Sequence, residues 1–436
     1  MNRPVKNSSV LTDKFNPPGI YIMQQTSSTR ALAEDAAAEP SSIAPTRAAW
    51  LAVLSVGIGS FALVTSEFLP VGLLPSIAAE LRISEGTAGM MVTLPGIVAA
   101  FAAILVTIGI GKTDRRYVIA GLTATLIVSN LIVSLSSSFA LILLARSLLG
   151  IGVGGFWAIG GAIGTRLVPP VYAARATSII FAGVSVGTVA GVPAGALLGE
   201  IAGWRAAFLA TGAIGVVVLL LQLALMPSLP AAGSLTFRQV PELLRIKKAR
   251  LGMAVTLLVF IGQFTAYTYV TPFLVQVAQL GAGVISALFL AYGVAGFIGN
   301  LLGGWLVARS VRRALITVGL VIGLSTLALP LVGTSLAGAV ALIVTWGLGF
   351  GMMPIAVQSW MFKAAPHAME SGGAVFVSTA QVALAGGALV GGIVADHLGV
   401  SGVMIAGGAF ALAMALVIWR FGDEDGGPSV RLAAVH

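Results

Sequence analysis

Twelve apolar runs, arranged as two groups of six, constrain this chain more than any other feature. They lie near residues 48–76, 86–110, 117–136, 139–165, 174–200 and 206–226, and again near 251–277, 284–308, 314–333, 337–361, 371–395 and 401–420. Each is long enough to cross about 30 Å of hydrocarbon as a helix. Only 9% of the residues are charged and the mean hydropathy is +1.02, whereas a soluble domain carries about 25% charged residues. The expected fold class is an all-α membrane protein with twelve transmembrane helices in two pseudo-symmetric six-helix bundles. Residues 47–226 form the first bundle, 227–250 a cytoplasmic connector and 251–421 the second bundle, with polar cytoplasmic tails at 1–46 and 422–436.

The N-terminal tail is rich in Ser, Thr, Ala and Pro without apolar periodicity, so it is expected to be disordered. It does not read as a signal peptide, because the first apolar run begins near residue 48 and is too long for an h-region. An even number of spans puts both ends on one side. That side collects the tails, Lys112, Arg115, Arg116, Arg166, Arg175, the connector residues Arg238, Arg245, Lys247, Lys248 and Arg250, and Arg309, Arg312, Arg313, Lys363 and Arg420, so 21 of the 24 Lys and Arg share it. The positive-inside rule makes it cytoplasmic, which also accounts for the high pI without nucleic acid. There is no cysteine, and His367, His397 and His436 are too dispersed for a local metal motif, so neither a metal nor another cofactor is expected.

One carboxylate interrupts the first apolar run: Glu67, in FALVTSEFLPVGLLP (61–75). An acid at the centre of a span costs about 2.5 to 3.5 kcal/mol on insertion scales and usually marks a transport or proton path. Arg146, in the fourth run, is the base at matching depth, since each lies about 10 to 12 Å of helix from the same end. A lone buried charge costs several kcal/mol, so the two are expected to form a proton-coupling pair. A static pair that only sets the angle between two helices is the alternative.

The halves repeat. GKTDRRYVIAG (111–121) follows the second span and ARSVRRALITVG (308–319) the eighth, aligning Arg115 and Arg116 with Arg312 and Arg313, and Asp114 with Val311. The fifth span carries Gly183, Gly187, Gly191, Gly195 and Gly199, and the eleventh Gly386, Gly387, Gly391 and Gly392. Parallel six-helix repeats are a transporter architecture with the site near the midplane between them. Asp114 is able to cap the third span and to latch one transport state, with Arg115 and Arg116 acting through charge. Gly150, Gly152 and Gly155 satisfy GxGxxG inside an apolar span with no preceding strand, so they are expected to pack helices rather than bind a dinucleotide.

TSEFLPVGLLP, GKTDRR and ARSLLGIGVGG (145–155) resemble the first-span, loop and fourth-span motifs of the major facilitator superfamily, specifically its drug and metabolite proton antiporters. TDRRYV, GGFWAIG, RLVPP, GWR, MPSLP and GQFTAYTYVTP are similar to the purine ribonucleoside efflux pumps within that group. The resemblance implies the major facilitator fold and export of inosine- or guanosine-like nucleosides in exchange for protons, with multidrug or sugar efflux as the alternative. It implies a multi-pass protein of the inner membrane that is not an enzyme, partnered by protons, a small solute and the bilayer. It is expected to act as a monomer.

Gly191 and Pro193 stand where the antiporters have an adjacent Gly-Pro, and are carried over as gating positions. Spans one, four, seven and ten line the cavity in this superfamily, which makes Phe156, Trp157, Gln263, Tyr267, Tyr269, Trp346, Gln358 and Trp360 the candidate substrate-binding residues. Rings plus an amide suit a flat, uncharged solute that stacks and hydrogen-bonds, as bases do on aromatic side chains.

Overall fold

A computed structural model describes residues 45–111, 113–230, 246–364 and 369–422. Lys112, most of the connector with Arg238 and Arg245, His367, residues 1–44 and residues 423–436 with His436 lie outside the described residues. Among the described residues the chain is helical, and eleven helices are long and apolar enough to span a membrane. The last of these, Met369–Phe421, is two spans joined at Gly399, whose φ of 74° only glycine adopts readily. Twelve spans result.

In order they are Arg47–Leu81, Glu85–Gly109, Arg115–Leu135, Phe139–Leu167, a fifth span with a π turn, Trp204–Leu225, a broken seventh span, Ala282–Arg309, Val311–Val332, Leu336–Ala364 and the two joined spans. The starts follow from their caps. Thr46, Ser84, Asp114 and Ser310 each stand just before a helix, and the side chain of each accepts a backbone N–H that would otherwise be unpaired. The fifth span carries a π turn, Gly187–Gly191, across which the Val192 N–H reaches back to the Gly187 carbonyl, and Pro193, which has no N–H, follows directly after it. The seventh breaks at Tyr269, between Lys247–Thr268 and Val270–Gln276.

Glycine spacing sets the packing of the first half. Each fourth residue of the fifth span meets each fourth residue of the first: Gly183 lies on Gly57, Gly187 on Phe61, Gly191 on Thr65, Gly195 on Leu69 and Gly199 on Leu73. The two helices touch backbone to backbone, and the Ser60 hydroxyl donates to the Ile180 carbonyl at 3.0 Å. Spans eleven and seven repeat the arrangement, with Gly387 and Gly391 on Ile261 and Thr265. There the Thr265 hydroxyl donates to the Gly387 carbonyl at 3.0 Å. The GxGxxG glycines also sit at helix contacts: Gly150 meets the second span at Pro95, while Gly152 and Gly155 meet the third at Leu122.

The loop alignment needs one correction. Both loops are fixed by their caps, and the residue capping the ninth span is Ser310, whose side chain accepts from the Arg313 N–H at 3.1 Å. The counterpart of Asp114 is therefore Ser310 and not Val311, and Arg116 corresponds to Arg312. Contacts agree with this register, since Arg116 donates to the Leu223 carbonyl in span six and Arg312 to the Trp419 carbonyl in span twelve.

Candidate functional site

Glu67 and Arg146 are both buried, with Glu67 4% and Arg146 0% exposed. The Arg146 guanidinium crosses from span four to span one and spends its nitrogens on backbone: Nε donates to the Met91 carbonyl at 2.8 Å, Nη1 to Ser66 at 2.8 Å and Nη2 to Glu67 at 2.9 Å. It thus ties spans one, two and four together, and two of the three carbonyls, Ser66 and Met91, stand four residues before Pro70 and Pro95, which have no N–H to take them. The carboxylate of Glu67 feels that positive charge but closes no ion pair with it. Beside them, the Asn130 amide of span three donates to the Ser66 hydroxyl at 2.8 Å and to the Leu126 carbonyl at 2.9 Å. From the second half, the Gln381 amide of span eleven comes within reach of Glu67, yet its buried Nε2 meets no acceptor in bonding geometry.

The next residue along span one connects this charge to the other half. Phe68 stacks on Phe264 with centroids 5.6 Å apart and meets Tyr267 edge-on at 6.2 Å. Tyr267 in turn stacks on Tyr292 at 5.3 Å and on Phe350 at 6.3 Å. Under these rings Gln263 is pinned at both ends. Its Nε2 donates to the Tyr292 hydroxyl at 2.8 Å and its Oε1 accepts from the Trp346 N–H at 2.8 Å. A buried amide satisfied on both atoms holds one orientation, and it fixes three spans of the second half without a charge.

The candidate residues are therefore not gathered in one place. Gln263, Tyr267 and Trp346 form the aromatic cluster, facing Phe68. Phe156 and Trp157 lie inside the first half, their rings 6.1 Å apart, with Phe181 6.0 Å beyond Trp157. Tyr269 is wedged between the halves, donating to the Ala388 carbonyl at 3.1 Å, with Gly89 of span two and Gly391 and Gly392 of span eleven against its ring and hydroxyl. Gln358 is exposed, and Trp360 donates to the Lys248 carbonyl at 3.2 Å near the start of span seven. Gly191 ends the π turn against Thr65 of span one, and Pro193 lies in the first turn of the helix that follows.

Sequence reasoning missed Asn130, Phe68, Tyr292, Phe350 and Gln381. Asn130 and Gln381 carried the same signal as Glu67, a strongly polar residue inside an apolar run. Tyr292, on span eight, carried none.

Hydrogen bonds join the halves at the end of the bundle remote from Arg47 and Phe421. Asp396, where span eleven ends, accepts from the Ser84 hydroxyl at 2.8 Å and the Gly86 N–H at 3.1 Å, and Gln276 donates to Glu85 at 2.8 Å. At the other end, Asp114 accepts from Arg116 N–H at 2.8 Å, from Leu229 N–H at 2.9 Å and from the Ser228 hydroxyl at 2.5 Å. These donors, the Ser228 hydroxyl foremost, hold its carboxyl below the usual aspartate value. Asp114 is accordingly a clasp within the first half, fastening the loop to the segment that leaves span six.

Two six-span halves meeting around a buried acid and a buried base define a membrane transporter. The chain belongs to the major facilitator superfamily, whose description matches residues 56–388. It is 37% identical over 373 residues to the purine ribonucleoside efflux pump NepI of Escherichia coli O6:K15:H31 (strain 536 / UPEC), covering 86% of this chain and 94% of that one. The NepI of Shigella dysenteriae serotype 1 (strain Sd197) is 36% identical, with 86% and 95% covered. Among solved structures, a bacterial homolog of the human lysosomal transporter Spinster, inward-facing and occupied, superposes with a TM-score of 0.66 at 17% identity, covering 84% of this chain and 95% of that one. The human organic anion transporter MFSD10 (TETRAN) gives 0.60 at 18% identity, with 86% and 100% covered. At that identity these two bear on the fold alone.

Proposed function

We propose that this chain is a proton-coupled exporter of purine ribonucleosides or of neutral solutes of that shape. In this reading it works as a monomer in the cytoplasmic membrane with both termini cytoplasmic. The observation that carries it is the adjacency of Glu67 and Phe68, which sets the one buried acid of span one beside an uncharged aromatic cluster. Rings and an amide suit a flat solute, and relatives at 37% identity bear the name of purine ribonucleoside efflux pumps. Gln263, Tyr267 and Trp346 face that solute in this proposal, while Asp114, Arg115 and Arg116, with Gly191 and Pro193, serve the change of state.

The test is transport in proteoliposomes under an imposed pH gradient, with inosine inside or outside. Native protein is expected to move inosine against its gradient, and Glu67→Gln to bind it without pH-driven transport. Full pH-driven transport by Glu67→Gln refutes the coupling role. Transport of cationic dyes but not of inosine turns the reading to a drug exporter on the same scaffold.

A further inference from the structure

This inference rests on the proton-coupled reading above and concerns the part that moves. Of the described charged groups, Arg146 is the one that faces Glu67, and its nitrogens are already held by three backbone carbonyls. Backbone carbonyls do not leave when a proton or a solute arrives, so Arg146 is a fixed charge. Gln381 differs on each count. It comes from the other half, it is 6% exposed, and its Nε2 is buried without an acceptor in bonding geometry although it lies within reach of the Glu67 carboxylate. A buried amide N–H without an acceptor is unfavourable, so the amide is poised to take a partner.

An amide has a donor end and an acceptor end, and a carboxyl group asks for a different one in each of its states. A carboxylate only accepts, which draws Nε2 toward Glu67 and leaves Oε1 facing away. The neutral acid donates, which draws Oε1 and turns Nε2 outward. We propose that Gln381 is a solute-contacting residue whose outward face reverses with the protonation of Glu67, and that it binds a neutral solute through an N–H on the solute's edge. With Glu67 ionised, Oε1 accepts that N–H. When Glu67 takes a proton from the medium, the same site presents a donor to a donor and the solute leaves. Proton and solute then compete, which is the sign antiport requires, and linkage makes the competition mutual.

The test uses a hydrophobic carbodiimide, which modifies the neutral acid, with modification of Glu67 read by peptide mass mapping on the purified full chain. Inosine is the probe solute, and 1-methylinosine, which lacks the ring N–H, is its control. In native protein inosine is expected to slow modification and 1-methylinosine not to. Gln381→Met, which keeps length and removes the amide, is expected to speed modification without solute about tenfold, the worth of a hydrogen bond to a charged group, and to abolish protection. Gln381→Asn keeps an amide one methylene short and is expected to fall between, which serves if the methionine variant does not fold. A rate in Gln381→Met equal to native overturns the proposal. If inosine fails to protect native protein, the solute reading falls, and the rates without solute still decide the role of Gln381.

Discussion

The two halves of this molecule solve the same packing problem with different chemistry. In the first, three spans are tied by a fully buried guanidinium that takes carbonyls from its neighbours, with an acid beside it. In the second, three spans are tied by an amide between a tyrosine and a tryptophan. Both knots are buried, yet only the first can change charge. The repeat therefore places a buried acid and base in one half and a neutral, ring-lined cluster in the other.

The largest expected effect breaks the first knot. Arg146→Met leaves buried carbonyls unpartnered and Glu67 without its neighbouring positive charge, and is expected to lower stability by about 3 to 5 kcal/mol, read as the drop in thermal midpoint of detergent-purified protein. Gln263→Leu orphans the Tyr292 hydroxyl and the Trp346 N–H, with an expected loss of about 1 to 3 kcal/mol in the same assay. A larger loss for Gln263→Leu than for Arg146→Met would mean that the neutral knot, and not the charged one, carries the fold. Glu67→Gln removes a desolvated charge while keeping shape, so stability is expected to change by less than about 1 kcal/mol even as pH-driven transport is lost. Equal losses of both would return Glu67 to a purely structural role.

The smallest effect separates the two loops. Asp114 has its carboxyl held down by the Ser228 hydroxyl and two backbone N–H groups. A depressed folded value means the unfolded chain takes up the proton first, so the stabilisation is present above the ordinary 3.8 and fades as pH falls through the lower folded value. Native protein should lose a little thermal stability across that acid window and Asp114→Asn should not, while Ser310→Ala should lower stability equally at every pH. An acid-dependent loss in Ser310→Ala would end the distinction between a charged and a neutral clasp. Asp114→Asn is also expected to slow turnover while leaving membrane insertion intact, measured as initial rate per inserted protein.

Span number, the internal repeat and the buried acid were legible because each is a local departure from an apolar background. Helix length follows from the thickness of hydrocarbon, and a carboxylate inside a run needs no neighbour to be noticed. Depth along two helices was enough to bring Arg146 to span one. What depth cannot give is rotation about the helix axis, and that is why the guanidinium was expected on the carboxylate and is found on carbonyls. Rotation also explains the scatter of the aromatic candidates: Tyr269 follows Tyr267 by two residues, so the two point about 200° apart around the helix. The loop register failed for another reason. Paired arginines looked like the anchor, but the cap residue sets where a helix begins.

The long sequence separation between Arg146 and the carbonyls it holds has a consequence in time. Glu67 precedes its arginine by 79 residues, and a ribosome adding about 5 to 20 residues per second takes roughly 4 to 16 s to cover that distance. During that interval span one resides at the membrane with an acid and no guanidinium to face it. Its insertion must be carried by its own apolar residues against the cost of the acid. The glycine seam with span five closes later still, when Ile180 reaches Ser60 across 120 residues. The first half is thus assembled around a span that waits for its partners, and the order of synthesis decides how long the acid at the centre of this protein stands alone.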